Sequence, residues 1–251
     1  MNRISIILVL LALAFLVCGW SCRPAQESPP CCPAPAPMPS RPRPTPCSEP
    51  ALVEQGVGAT VGGPVAPDGT EVQIDLPNDR HVRNTGGIGP RGPGSGAGLC
   101  VFTSIQHAAD WQGVEVLQDF QKWMTTRPGG GYPSKVDKMI GQKCAEAGTA
   151  KPAYLHVTGA DLDMLRLACK TGRMPGVTYC RSFAGRYGGQ RISHMVSLVH
   201  LDERWAAILD NNFPKSLEWL SLDEFRRTYV GGGGGWGFIL LDPGPPPTPR
   251  N

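Results

Sequence analysis

The chain has 251 residues, with 24 Lys and Arg against 21 Asp and Glu and a formal net charge of +3. The charge is small, spread along the chain and free of like-charge runs, which excludes a nucleic-acid footprint built on a basic patch. The 32 Gly and 26 Pro crowd into particular stretches, and the remainder is roughly 150–170 residues, one ordinary domain with enough chain for a real core.

Arg3 precedes an apolar run over residues 4–17 that only Ser5 interrupts. A charged start and a run of this length read as a secretory signal. A spanning helix needs about 20 apolar residues, so extension to Trp20 leaves a single-span anchor open. Cys18 and Cys22 leave lipidation open as well, although Val17 and Gly19 depart from the usual lipoprotein pattern. Residues 1–22 are therefore read as a signal peptide or a membrane or lipid anchor, and the protein as exported, periplasmic or extracellular. Residues 23–50 are dominated by proline and read as an extended polyproline-like spacer. The whole Pro/Gly-rich stretch 23–69 is taken as a disordered linker.

The domain is expected over residues 70–242. Residues 70–76 alternate polar and apolar and read as a short strand. Residues 80–98 form a long loop carrying Arg80, His81, Arg83, Asn84 and Arg91, and a loop of that length is functional or mobile. The glycine-rich stretch 94–99 then runs into Cys100 and a helical pattern with Val101, Ile105, Ala108 and Ala109 on one stripe. Cys100, Ser104 and His107 share a neighbouring face, and Gln106 points away from both. Val116, Leu117, Phe120, Trp123 and Met124 predict a second helix. A third follows Ser134, burying Val136, Met139, Ile140 and Cys144 and stopping at Gly148. Residues 153–157 read as a strand, and a fourth helix carries Leu162, Leu165, Ala168 and Cys169. Strands are expected at 174–179, 193–201 and 205–209, the last two joined as a hairpin by Asp202-Glu203. Ser221 opens a capped helix with Glu224 three residues on. Residues 236–241 form a final strand, and 243–251 a disordered tail. A helical half followed by an antiparallel half makes the fold class α+β.

The chemistry centres on cysteine. Of nine cysteines, Cys18, Cys22, Cys31, Cys32 and Cys47 fall in the leader and spacer. Cys100, Cys144, Cys169 and Cys180 fall in the domain. No CxxC pair or zinc spacing occurs, so neither metal nor cofactor is expected; a disulfide among the domain cysteines stays open in an exported protein. Cys100, at a first helical turn, sits against the positive end of the helix dipole, which favours the thiolate. On this stretch alone, a buried structural thiol and a nucleophile are both open readings. A nucleophile needs a base, and the base an orienter. His194 opens one hairpin strand and Asp210 ends the other, so the hairpin brings them together. His107 lies two turns beyond Cys100 and reads as packing. His200 reads as structural or solvent-facing, and His156 as a strand surface residue. Cys144, Cys169 and Cys180 read as core or disulfide residues.

Gly98-Leu99-Cys100 at a helix start, His194-Met-Val-Ser-Leu-Val opening a hairpin and Ala206-Ala-Ile-Leu-Asp-Asn-Asn-Phe closing it resemble papain-like cysteine peptidases. Ser221-Leu-Asp-Glu-Phe resembles the following helix of bacteriocin-leader-processing peptidases. The resemblance covers about residues 94–241. It implies a Cys-bearing helical half packed on an antiparallel half, with Cys100 as nucleophile, His194 as general base and acid, and Asp210 as orienter, Asn211 being the alternative. The family's oxyanion-hole glutamine has no counterpart in residues 92–98; the Cys100 amide and Asn84 or another loop amide stand in its place. The expected activity is peptide-bond hydrolysis through an acyl-enzyme, on a peptide or protein substrate, with the membrane a partner only through the N-terminus. A thiol acyltransferase of transglutaminase-like type and an inactive papain-like binding protein are the alternatives.

Overall fold

The computed structural model describes residues 60–180, 186–188, 190–231 and 233–245. The expected signal or anchor, most of the linker and the end of the tail lie outside the described residues. Among those described, no helix is long and apolar enough to cross a membrane.

A seven-stranded sheet carries the fold. Its order is β1 (Thr60–Gly62), β8 (Leu217–Ser221), β7 (Trp205–Leu209), β6 (His194–Leu201), β5 (Gly176–Tyr179), β9 (Trp236–Leu240) and β4 (Tyr154–Thr158). Every neighbouring pair is antiparallel. A separate ribbon pairs β2 (Gly86–Gly89) with β3 (Gly92–Gly94). The helices are α1 (Cys100–Gln112), α2 (Phe120–Met124), α3 (Pro133–Ala147), α4 (Asp163–Lys170) and α5 (Leu222–Val230). The α+β class is as read from the sequence.

The layering differs from a helical half set against a sheet half, because both faces of the sheet are covered. Met195, Val199, Ala207, Leu209, Trp219 and Phe238 share a core with α1, α2 and α3. Val196, Leu198, Ala206, Ile208 and Leu220 share another with α4 and α5. Period-two alternation sends successive strand residues to opposite faces. In β6 both faces are buried, so the strand is covered along its whole length, His200 included. That burial corrects the solvent-facing option for His200; its Nε2 lies 3.1 Å from Asp202 Oδ2.

Helix α1 is buried along nearly its whole length, residues 101–109 among them. Gln106, which lies off the two faces named above, is buried as well, and its Oε1 accepts the Gln121 backbone amide at 3.0 Å. Polar groups on a buried helix need partners, and apart from Gln112 Oε1 the following have them. Thr103 Oγ1 donates to Leu99 O at 3.0 Å, Ser104 Oγ to Met195 O at 3.2 Å, and Gln112 Nε2 to Pro243 O at 2.7 Å. Gly113 ends the helix in the left-handed region, at φ 74°.

Three elements were misread. Thr60–Gly62 lies in the presumed linker yet forms β1 on the edge of the sheet, where the Trp219 indole N–H donates to Gly63 O at 3.0 Å. Strand β8 has no counterpart in the sequence reading, because Glu218 sits in its middle, fully buried and accepting from the Tyr179 hydroxyl at 3.1 Å. Residues 70–76 are not a named strand; they lie along β6, with the Ile74 amide donating to Val199 O at 3.0 Å and with Ile74 and Leu76 buried in the core.

Candidate active site

Cys100 is the first residue of α1. The loops around it are shaped by glycine. The 96–98 segment is tied to the 127–131 segment, Gly130 N–H donating to Gly98 O at 2.8 Å. A Cβ on Gly129 would overlap the Ala97 carbonyl, and one on Gly131 would stand 2.6 Å from the Val101 side chain. Only glycine permits this nesting. The result is a cleft of about 300 Å³ beside Cys100, lined by Ala97, Gly98 and Gly131 on one side and by Thr178, His194 and Trp236 on the other. None of its lining residues comes from residues 70–91.

His194, at the start of β6, and Asp210, just past β7, meet where the hairpin opens. The Nε2 of His194 is 2.8 Å from Asp210 Oδ1, with both side chains buried. That leaves Nδ1 free of the carboxylate, and His194 lines the same cleft as Cys100. Burial pushes the Cys100 thiol up. The hydrogen bond and charge of His194, and the amides of Met195 and Val101, outweigh burial and hold it below the ordinary thiol value. Burial likewise disfavours a charged His194, but the bonds and charges of Asp210 and Cys100 raise it to about 9. For Asp210, burial is outweighed by His194, Tyr187 and the Asn212 amide, and its carboxyl is held below the usual range. All three directions favour a thiolate–imidazolium pair braced by a carboxylate. Such a pair supplies a nucleophile and a proton donor in one cleft.

Asn211 does other work. Its Nδ2 donates to Met195 O at 2.9 Å, Ser104 Oγ at 3.0 Å and Cys100 O at 3.2 Å. It ties α1 to β6 and faces the backbone of the Cys and His elements, whereas the carboxylate on the imidazole is that of Asp210. Asn84 is not part of the cleft lining either. Its Oδ1 accepts the Leu99 amide at 3.1 Å, and its Nδ2 donates to Asn212 Oδ1 at 3.0 Å. The Cys100 N–H, at the first position of a helix, has no intrahelical acceptor.

Two residues that the sequence reading passed over complete the surroundings. The Tyr187 hydroxyl donates to Asp210 Oδ2 at 2.7 Å. The Asn212 amide donates to Asp210 Oδ1 at 2.8 Å, while its Nδ2 donates to the Tyr187 oxygen at 2.8 Å. The Asn212 contact follows a legible signal, since an Asp accepts readily from the amide two residues on. Tyr187, in a polar glycine-rich loop, carries no such signal.

The other histidines are structural. Buried His107 accepts the Val82 amide at Nε2, 2.9 Å, which leaves Nδ1–H to donate to Ser197 Oγ at 3.0 Å. Burial, then the nearby charge of His81, lowers its pKa to about 3, so it stays neutral. His156 is no plain surface residue: it bonds Asp137 Oδ1 at 2.9 Å and accepts the Trp236 indole N–H at 3.1 Å, bracing one cleft wall. Cys100, Cys144, Cys169 and Cys180 are all free thiols. Among the described residues, no three His, Cys, Asp or Glu side chains form a metal-binding group.

The class this defines is an α+β protein whose antiparallel sheet carries a histidine–carboxylate pair beside a helix-terminal cysteine. No protein-family model matches the chain, and no curated protein matches it. Among solved structures it is similar to a Bacillus anthracis protein described as a "putative C39-like peptidase", with TM-score 0.29 and 16% identity over 41% of this chain and 57% of the other. The chain thus spans a little over half of that neighbour's length. Similarity at this level carries no weight for activity, and the geometry above stands by itself.

Proposed function

We propose that this protein is a thiol-dependent hydrolase of peptide bonds with a papain-like arrangement, in which Cys100, His194 and Asp210 act in sequence. The observation that carries the reading is the buried His194–Asp210 pair, 2.8 Å apart, set in the same cleft as the helix-terminal Cys100. The Cys100 thiolate attacks the substrate carbonyl carbon. The oxyanion that forms takes the Cys100 N–H, aided by the α1 dipole. His194 gives its proton to the departing amine, and the C–N bond breaks to leave an acyl-enzyme. His194 then takes a proton from water, which attacks the thioester and frees Cys100. Asp210 holds the imidazole in one orientation throughout and stabilises its charge. Export of the chain through its N-terminal segment, and a peptide or protein substrate, belong to the same reading.

The test is alkylation of the full-length protein with iodoacetamide at near-neutral pH, with modified sites mapped by mass spectrometry. Cys100 is expected to react well ahead of Cys144, Cys169 and Cys180, and Cys100→Ala to abolish peptide release. A Cys100 no faster than its buried counterparts removes the basis for the assignment. Supplying an amine during turnover separates hydrolysis from acyl transfer by the product formed.

A further inference from the structure

The Tyr187 hydroxyl is the second bracket on the Asp210 carboxylate. Asp210 is 0% exposed. Its Oδ1 takes both His194 and the Asn212 amide, while Oδ2 takes Tyr187 at 2.7 Å. A buried carboxylate oxygen deprived of its donor is costly, and the group relieves that by rotating, which would pull Oδ1 off the imidazole. The Tyr187 ring also stands edge-on to His194, centroids 6.2 Å apart, and against Phe213 at 5.7 Å. The hydroxyl does not stand alone. Asn212 Nδ2 donates to it, Asn84 Nδ2 donates to Asn212 Oδ1, and Asn84 Oδ1 receives the Leu99 amide immediately before Cys100.

We propose that Tyr187 is a positioning residue for the His194–Asp210 pair, and that Asn212 and Asn84 link its hydroxyl to the start of α1, a run of hydrogen bonds from Asp210 to the Leu99 amide that neighbouring Cys100 and His194 complete as a ring. The inference rests on the catalytic reading of Cys100, His194 and Asp210. Through this ring, the base and the nucleophile are registered to each other from behind as well as across the cleft they both line. The ring joins four separate parts of the chain: the arm before β2, the head of α1, the loop before β6 and the turn after β7. The charged groups facing it are His194 from β6, Cys100 from α1, Glu218 from β8, Arg83, which donates to Asn212 O at 3.0 Å, and Arg186, which donates to Phe213 O at 3.3 Å. Glu218 is itself held by the Tyr179 hydroxyl at 3.1 Å and the Arg186 amide at 3.3 Å. Burial and the neighbouring Asp210 charge push the Tyr187 phenol far above its usual value, so it remains a donor at any working pH.

The experiment follows the rate of Cys100 alkylation against pH in the full-length protein, its Tyr187→Phe and Asn212→Ala variants and the double variant. Phenylalanine keeps the ring contacts and removes only the hydroxyl. Tyr187→Phe is expected to slow Cys100 alkylation at neutral pH about tenfold, the scale of one hydrogen bond to a charged group, and to move the acid limb toward that of an ordinary thiol. Asn212→Ala is expected to move the profile the same way by less, and to add nothing on top of Tyr187→Phe, because it acts through that hydroxyl. A Tyr187→Phe profile superimposed on an activated wild type overturns the positioning role and leaves the catalytic reading intact. Independent, additive effects of the two substitutions overturn the ring. A wild-type Cys100 with no activation at all overturns both readings. If Tyr187→Phe does not fold, an Asn212→Ala profile identical to wild type overturns the ring.

Discussion

Cys100 and Cys169 are two thiols of one domain, the first half-buried at a cleft and the second fully buried, and they are driven in opposite directions. Cys169 lies in the last turn of α4, at the negative end of that helix, with its sulfur 4.0 Å from the Leu198 carbonyl. Burial alone acts on it and pushes its pKa far up. Cys100 is desolvated too, though less completely, and it starts a helix and feels the Met195 and Val101 amides and His194. Burial therefore does not decide whether a cysteine is inert or reactive. The end of the helix it occupies and one neighbouring cation do.

The largest way to break this contrast is to remove the cation. On the proposed reading, His194→Ala makes Cys100 resemble Cys169 in reactivity and lowers peptide hydrolysis by about 10⁴-fold, the upper range for a general acid–base group. Steady-state kinetics with a peptide substrate and competitive alkylation mapping measure both effects. A smaller effect comes from unfastening the two elements that meet at Cys100. Asn211→Ala removes one donor from three acceptors, Met195 O, Ser104 Oγ and Cys100 O. Leaving buried groups unpaired costs about 1–3 kcal/mol, to be read as a lowered denaturant midpoint.

The pH dependence sharpens the contrast without mutation. On the proposed reading, hydrolysis needs a deprotonated Cys100 and a protonated His194. The acid limb belongs to a thiol held below its ordinary value, and the rate declines again as pH passes the His194 value of about 9. The two limbs belong to the coupled pair, and each further unit beyond a limb lowers the rate about tenfold. A profile that only climbs through the ordinary thiol range contradicts the ion pair. The smallest effect is expected at the other thiol. Cys169→Ala removes one buried atom, worth about 1 kcal/mol, and leaves the Cys100 alkylation profile where it was.

Legibility followed the range of the interaction. The β6–β7 hairpin was readable because its turn is local: the Asp202 amide donates to Trp205 O at 3.0 Å, and Asp202 Oδ1 accepts from Arg204 and Trp205. That turn sets His194 against Asp210. The stops at Gly113 and Gly148, with φ 74° and 66°, and the Ser221 cap on Glu224 were readable for the same reason. What escaped depends on distant partners. Strand β1 exists only because β8 lies beside it, and β8 tolerates Glu218 only because Tyr179 and Arg186 satisfy it. The hydrogen-bond partners of the α1 polar side chains, Gln121, Met195 and Pro243, likewise come from other elements.

The sequence by itself determined the local geometry: a cysteine placed at a helix start behind a glycine loop, and a histidine and an aspartate at the open end of one hairpin. Those placements follow from backbone periodicity, turn chemistry and caps, which act over a few residues. Only the tertiary structure decided that the α1 terminus docks on that hairpin, that Asp210 rather than Asn211 faces the imidazole, and that Tyr187, Asn212 and Asn84 stand behind it. Those outcomes depend on which polar groups are buried together, and partners far apart in the chain leave no mark in local pattern.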